Sequence, residues 1–596
     1  MTATASAAAF FAFHLLALLS LTATVSVAGR LVTRSLDDPG DAWERFGVSA
    51  ALGLALFGQL GFCLGLVGML TRGPLLAVVA GVHLAGLGVW REIGSGVRGL
   101  GRRKAVTLGL LAAVMPLVVL AFYPPTAFDE TMYHLPFARA FAASGGVPFL
   151  PDLRMPVFPQ LSELVFAEVL LLADDVSVHG VELLAVLACA ALLIGWGRRA
   201  SGPAAGWLAA GTWLGNPVVA HLAGTAYLEP GLALFGTAAL YAQERWRESG
   251  SRGWLAVAAA CAGSAAATKY LGLVFAGLVL LSVLLTGPRG AAPRERRARD
   301  LLLAALVIAA VAAPWYVRIL YFTGNPVFPF FPGLLSPATV WDAAWFPPRP
   351  LHEHLTDFVR VPWSVVFDRR AVGSQPPHSP FYLLGVPLLA VAVWKDRRVR
   401  RLLFSVLAYG LVFLIVPPDA RYLVAVLPLL SLALALSVDL LPKSLPPRAL
   451  AALAILAFLP GWLYAGYRLA RQGPVPASAE ARDRYLAGQL PIWPAVRFLN
   501  RTQGSRYTVY AFHAENMVYL ADGRFLGDWN GPGRFSVMEP LTRDPAALHR
   551  KLRELGAGYL LMIDCCGLVL PVEDPEFRAR FQRIYSDGTS EIFALR

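Results

Sequence analysis

Long apolar runs alternate with short charged breaks over roughly the first three quarters of the chain, and the alternation stops near residue 470. Runs at 7–28, 48–70, 105–123, 176–196, 301–322 and 449–467 approach or reach the roughly 20 residues that a helix needs to cross a bilayer core. The same length rule extends to about fourteen spans, near 8–28, 47–70, 74–90, 105–123, 176–196, 204–222, 228–243, 254–268, 271–286, 301–322, 380–394, 401–416, 422–440 and 449–467. The stretch 161–173 is apolar but short, and it carries Glu163 and Glu168. Counted as a span it would invert every later loop, so an interfacial or re-entrant helix is expected there. Beyond 474 the pattern changes to short alternating strands and helices. Strands are expected at 508–512 and 558–563, and helices at 544–555 and 574–584. Pro545 at a helix start and Gly556 just past its end agree with helix-boundary preferences.

The breaks between runs differ in charge, and that orders the two faces. One set carries Arg91, Arg98, Arg102, Arg103 and Lys104, then Arg198 and Arg199, then Arg245, Arg247 and Arg252. It continues with Arg289 and the Arg294–Arg299 cluster, the Lys395–Arg401 cluster, and Lys443 and Arg448. The opposite set holds Arg139, Arg154, Lys269, Arg349, Arg360, Arg369, Arg370 and Arg421 over much longer sequence. Cations concentrate in short cytoplasmic loops, so the first set is expected inside. The segments 124–160 and 323–379, the turn at Lys269 and the C-terminal domain then share the outer face.

Composition agrees with membrane embedding. The chain has 596 residues, 56% hydrophobic and 15% charged, against about 25% charged in soluble proteins. The net charge of +13 sits in loops as topology signals rather than on a basic, aromatic-studded surface, so nucleic acid is not an expected partner. Five cysteines are too few for a disulfide framework. Cys63, Cys189 and Cys261 lie in apolar runs as small packing residues, and the adjacent Cys565 and Cys566 fit strand-end thiols better than a mutual disulfide. The first run lacks a basic segment before it, and despite a weak cleavage-like Val27–Gly29 it is expected to be retained as a helix. The Ala, Leu, Arg and Gly richness suits a GC-rich bacterium.

Four outward segments carry residues capable of chemistry. The first reads Phe128-Asp129-Glu130-Thr131-Met132-Tyr133-His134, followed by Arg139. Acids just past a span avoid lipid by facing a wet cavity, where a carboxylate can act as general base toward a hydroxyl. Taken alone, a solvated acidic pair at a helix start is the better reading. The second reads Tyr227-Leu228-Glu229-Pro230, with Glu229 either a helix N-terminal charge or a member of a site. The third, Thr268-Lys269-Tyr270, interrupts 33 otherwise nearly apolar residues, so two short helices meeting at Lys269 are expected. That Lys can snorkel to headgroups or grip a phosphate. The fourth is Pro417-Pro418-Asp419-Ala420-Arg421-Tyr422, where Arg suits bidentate phosphate binding. Acids for a hydroxyl and cations for a phosphate, on one face, are the inventory for transfer from a phosphate-activated donor. His352-Glu353-His354 is a weak metal candidate because consecutive residues rarely cage an ion. His14, His83 and His221 suit hydrogen-bonded core positions. There is no Walker-type phosphate loop to support ATP-driven transport.

The order and sidedness of these motifs resemble the GT-C glycosyltransferases, particularly bacterial relatives of the protein O-mannosyltransferases and of the lipid A aminoarabinose transferase, over roughly 108–467. The resemblance implies a GT-C-like polytopic α-helical membrane protein of about 14 transmembrane helices with a small C-terminal extracytoplasmic α/β domain. It divides the chain into N-terminal extra helices (1–104), a catalytic membrane domain (105–470) and the C-terminal domain (474–596). It implies Asp129 as catalytic base with Glu130 beside it, and Tyr133, His134, Arg139 and Glu229 toward substrate. Lys269, Tyr270, Arg421 and Tyr422 would meet the donor's lipid phosphate, and Gly324–Pro329 looks like a loop common in bacterial members. The second acid is often Asp in the family and is Glu here, and three spans precede the usual first helix. The implied activity is inverting transfer of a sugar, hexosyl or pentosyl, from a polyprenyl-phosphate donor to the hydroxyl of a glycan, lipid or protein acceptor. That places the protein among membrane lipids at the bacterial inner membrane, in cell-envelope assembly, with the site extracytoplasmic. No metal ligand is assigned, and a divalent metal stays open as cofactor. A flippase of lipid-linked saccharides should show paired broken helices and internal repeats, and the sequence has one broken pair. A non-catalytic assembly scaffold is the third reading.

Overall fold

In the computed structural model, residues 3–596 are described except 37, 39, 102–103, 288–293, 332, 336–349, 374–375, 415, 417–418, 441–445, 529–530 and 564–566. Pro417, Pro418, Cys565, Cys566, Arg102, Arg103, Arg289, Lys443 and Arg349 therefore lie outside the described residues.

Among the described residues six helices are long and apolar enough to cross a membrane: Ala7–Thr33, Ala42–Leu66, Asp175–Ser201, Glu295–Thr323, Ala420–Leu440 and Arg448–Gln472. The expected span at 74–90 is instead a bent pair, Arg72–Ala85 and Leu87–Gly94, turning through 67°. At the break sits Gly86, where a Cβ would lie 2.1 Å from Val27 Cγ1, so the backbone there presses on the first helix. Several other expected spans are present as shorter or more polar helices, such as Pro203–Leu214, Glu229–Ser249, Arg252–Thr268 and Leu273–Leu285. The chain is an integral membrane protein, and among the described residues length and composition give six spanning helices, or up to seven if the bent pair is one span.

Asp175–Ser201 is the central helix, with 94% of its apolar window buried. Asp174 caps it by accepting from the Ser177 N–H, and Gly202 follows its end. Ala42–Leu66 starts with a reciprocal capping box between Asp41 and Glu44. The first two long helices touch backbone to backbone: a Cβ on Gly29 would stand 1.8 Å from Ser49 O, and one on Gly53 2.0 Å from Val25 O. In lipid, where apolar burial gives little drive between helices, such small-residue contacts supply the packing.

The segment 161–173 forms a buried 12-residue helix, Leu161–Leu172, with Glu163 and Glu168 both buried. Arg252–Thr268 and Leu273–Leu285 meet at an extended Lys269 and a short 3₁₀ turn, Tyr270–Gly272, which is the two-helix arrangement expected there.

Among its described residues the C-terminal domain holds five strands: β1 (Thr508–Ala511), β2 (Arg524–Leu526), β3 (Tyr559–Ile563), β4 (Phe581–Ser586) and β5 (Ser590–Leu595). Their order is β2-β1-β3-β5-β4. The first three are parallel, and β3–β5 and β5–β4 are antiparallel. The helix expected at 574–584 ends at Arg580, because Phe581–Ser586 pairs with β5 in a hairpin whose turn carries Asp587 and Gly588. Gly588 has φ +84°, the left-handed conformation such a turn demands. Asp-Gly was the available signal, and β5 was missed with it. Cys189 and Cys261 are buried, whereas Cys63 faces outward.

Candidate active site

The segment 124–160 approaches the site through an unusual turn. Asp129 precedes a π-helical turn, Glu130–His134, that runs into the helix Leu135–Ser144. Widened turns of this kind are frequent at functional sites, and here the turn sends two neighbouring acids to different partners. Asp129 Oδ2 accepts from Tyr133 Oη at 3.0 Å and from Arg421 Nη1 at 2.5 Å. The Asp129 N–H donates to Tyr227 Oη at 3.2 Å.

Glu130 faces the other way. Its Oε1 meets His179 Nε2 at 2.5 Å and the Ala226 N–H at 2.8 Å, while Oε2 accepts from the Thr126 and Ala127 N–H groups. It ties the segment bearing Asp129 to the turn at Ala226.

Around Asp129 the charges interlock. Arg421 leads into the span Ala420–Leu440, and its Nε lies 3.0 Å from Asp419 Oδ2 and 3.9 Å from Glu229 Oε1. Lys269 Nζ donates to Glu229 Oε1 at 2.7 Å. The Tyr422 ring lies under both cations, 4.7 Å from Lys269 Nζ and 5.4 Å from the Arg421 guanidinium carbon, and Tyr227 lies 5.1 Å from the latter. Aromatic faces favour cations at these distances. Glu229 opens the helix Glu229–Ser249, and its Oε2 is buried with no hydrogen-bond partner. It is therefore both a helix N-terminal charge and a neighbour of the two cations.

Burial raises the Asp129 carboxyl, but the Arg421 guanidinium, followed by His134 and Lys269, more than offsets it and holds the group below the usual carboxylate range. Asp129 is therefore an ionised, partly desolvated carboxylate, the state a proton acceptor needs. The structure brings Asp129, Tyr133, Glu229, Lys269, Arg421 and Tyr422 together in one cluster.

Glu130, His134, Arg139 and Tyr270 make their direct hydrogen bonds outside this cluster, although the His134 charge is felt at Asp129. His134 Nδ1 pairs with Glu163 Oε1 at 2.7 Å. Arg139 reaches the C-terminal domain, donating to the carbonyls of Val518, Tyr519 and Ala521 at 3.1, 2.6 and 3.1 Å. Tyr270 Oη donates to Phe328 O at 2.6 Å, which anchors the Gly324–Pro329 loop beside Asn325, itself held by its own bonds to Val327 and Phe330. These four side chains hold the frame. Sequence reasoning missed Tyr227, Asp419, Glu163 and His179 as partners. The isolated His179 and Glu163 in apolar stretches were a readable signal, since ionisable groups at such depth need partners.

Glu130→Gln should cost stability first. It removes one charge of a buried pair and an acceptor for two N–H groups, which typically costs about 3–5 kcal/mol. A marked fall in the thermal midpoint of the detergent-purified protein is expected, with transfer per folded molecule falling less than in Asp129→Asn. An unchanged midpoint would mean that the His179 pair contributes nothing.

A family model described as SF2091/S2213 matches residues 481–594. No curated protein sequence matches the chain. Among solved structures, ArnT from Cupriavidus metallidurans in the apo state aligns over 83% of this chain and 98% of that one, at 16% identity and TM-score 0.54. The same protein bound to undecaprenyl phosphate aligns over 82% and 97%, at 17% identity and TM-score 0.49. The archaeal oligosaccharyltransferase AglB from Archaeoglobus fulgidus, in complex with an inhibitory peptide and a dolichol-phosphate, aligns over 82% and 74%, at 12% identity and TM-score 0.44. The fold of this chain is that of the GT-C membrane proteins, ArnT being one of its structural neighbours.

Proposed function

We propose that the protein is an inverting glycosyltransferase that moves a sugar from a polyprenyl-phosphate carrier to an acceptor hydroxyl on the extracytoplasmic face of the bacterial inner membrane. The observation that carries this reading is one largely buried cluster in which the ionised Asp129 carboxylate adjoins the partly exposed Arg421, with Lys269 bridged to Arg421 through Glu229. The ArnT-like fold agrees with it.

The acceptor oxygen attacks the anomeric carbon from the face opposite the phosphate, and its proton passes to an Asp129 carboxylate oxygen. The bond from the anomeric carbon to the phosphate oxygen breaks, and its electron pair leaves with the phosphate. A single in-line displacement inverts the centre. Arg421 and Lys269 stabilise the departing charge, so no general acid is required. Donor binding would draw the Arg421 fork from Asp129 toward phosphate, which frees the base only when the donor is present. Glu229 Oε2, buried without a partner, is suited to accept from a sugar hydroxyl. Incubation of the purified protein with radiolabelled polyprenyl-phosphate sugars and a membrane extract of acceptors tests the activity. Transfer to any acceptor, with inverted configuration, is expected, and flipping without transfer would instead indicate a flippase.

Sidedness has its own test. Arg139 joins the Asp129-bearing segment to the C-terminal domain, so both occupy one face. A reporter fused after Arg297 should be cytoplasmic and one at the C-terminus extracytoplasmic. Both on the same side would overturn the orientation.

A further inference from the structure

The C-terminal domain carries a second cluster that sugar transfer does not use. His513, Glu515 and Asp528 each present a ligand-type atom, and these atoms all lie within 4.8 Å of one another. Two short connections bring them together. His513 follows β1 and Asp528 follows β2, adjacent parallel strands paired in the order Thr508–Arg524, Val509–Phe525 and Tyr510–Leu526. Both connections thus emerge at the carboxyl ends of the strands, the edge where open α/β sheets place their ligands. Glu515 then opens the 3₁₀ helix Glu515–Leu520.

The donor set is mixed rather than merely acidic. Asp528 is buried, 3% exposed, and its Oδ2 accepts from the His513 N–H at 3.1 Å while lying 3.7 Å from His513 Nδ1. Donors bound 2.0–2.2 Å from one tetrahedral ion stand about 3.4 Å apart, so this pair is already close to ligand spacing. His513 Nε2 is buried and has no hydrogen-bond partner. The Phe535 ring, 5.1 Å from the imidazole, limits its orientation. The imidazole turns its Nδ1 toward the buried Asp528 carboxylate, and Nε2 has no protein partner that would hold the ring in another role.

We propose that His513, Glu515 and Asp528 bind a divalent transition cation of the zinc class, with remaining positions taken by water. One imidazole and two carboxylates are suitable ligands for Zn²⁺ or Mn²⁺. The site lies at the head of the helix that meets the active-site segment, because Glu515–Leu520 packs on Glu130–His134 and supplies the Val518 and Tyr519 carbonyls to Arg139. A cation there cross-links the β1 and β2 connections and fixes that helix where it covers the segment bearing Asp129. The ion is structural and touches no reacting atom.

The test uses the full-length, tag-free protein in detergent, stripped with a chelator and then given Zn²⁺ alone. About one equivalent should survive gel filtration, measured by elemental analysis, and the thermal midpoint should rise with added Zn²⁺. Co²⁺ in its place should give visible d–d absorption. His513→Gln and Asp528→Asn should each weaken Zn²⁺ retention by about tenfold or more, within the range of losses typical of disturbed metal sites. Should Asp528→Asn misfold, Glu515→Gln, which is less buried, gives the same readout from a folded chain. Equal retention by wild type and the His513→Gln/Glu515→Gln double variant would overturn the assignment, as would a wild type that holds no Zn²⁺. Neither result bears on sugar transfer, which is measured separately.

Discussion

Asp129→Asn is expected to lower the turnover of sugar transfer by about 10²–10⁴-fold, the contribution of a positioned general base, while leaving the protein folded and able to bind donor. The substitution preserves size, and an Asn oxygen can still accept from Tyr133 and Arg421, which both reach Oδ2 in the native site. What disappears is basicity. The wild-type pH profile provides a second readout. A base works only when ionised, and Arg421 holds this carboxyl below the ordinary range despite its burial. Activity should therefore persist as pH falls and fail only below the ordinary aspartate value of about 4. Turnover at saturating donor checks the first point, and the pH dependence of kcat/KM for donor, which reports the free enzyme before Arg421 turns to the phosphate, checks the second. Wild-type turnover in Asp129→Asn would remove this residue from the chemistry, and an acid limb near pH 6 would contradict the ion pair.

Much of this site was legible in the sequence because the membrane makes charges scarce. Lys269 stands alone in 33 nearly apolar residues, and Glu229 is isolated in the same way, so each needed a partner at a wet edge. That they would partner each other was not legible, since the pairing depends on how Glu229–Ser249 packs against Arg252–Thr268. Glu130 shows the same limit more sharply. Two adjacent acids look equivalent in one dimension, and the π-helical turn that sends one to Arg421 and the other to His179 has no sequence signature. In the membrane region the two short helices at Lys269 were foreseen from length and charge. The break at Gly86 was not, and the close approach of Val27 from the first helix, which leaves no room for a side chain there, is seen only in the folded chain. In the C-terminal domain the strand at Phe581 was overlooked because its amphipathic pattern suits a helix locally, until pairing with Ser590–Leu595 decides otherwise. The His513 cluster was invisible for the same reason, as Asp528 joins it only through the β1–β2 pairing.

Arg421→Gln should have the largest effect on donor use, and its consequences should reach Asp129 as well. The guanidinium is shared among Asp129, Asp419 and Glu229, with Tyr422 and Tyr227 beside it. If Arg421 meets the donor phosphate as proposed, removing it should cost about 2–5 kcal/mol, as is typical for buried charge pairs, or about 30- to 5,000-fold in donor affinity. The sign of the pH effect follows from burial. Without its main counter-charge the Asp129 carboxyl is left to desolvation, which favours the protonated form, so its pKa must rise and the acid limb of the rate profile must move to higher pH. Arg421→Lys keeps a charge without the planar fork, and should restore the acid limb while recovering only part of the donor affinity. Lys269→Gln separates the two roles: Lys269 meets Glu229 directly and contributes less than Arg421 to the field at Asp129, so donor KM should rise with a smaller displacement of the acid limb. Donor KM and the pH dependence of kcat/KM for the three variants decide the matter. Raised KM with an unmoved acid limb in Arg421→Gln would mean that Arg421 binds phosphate without governing the base. An unmoved KM in both Arg421→Gln and Lys269→Gln would leave the two cations as structural partners of Asp129 and Glu229 and take the donor phosphate elsewhere.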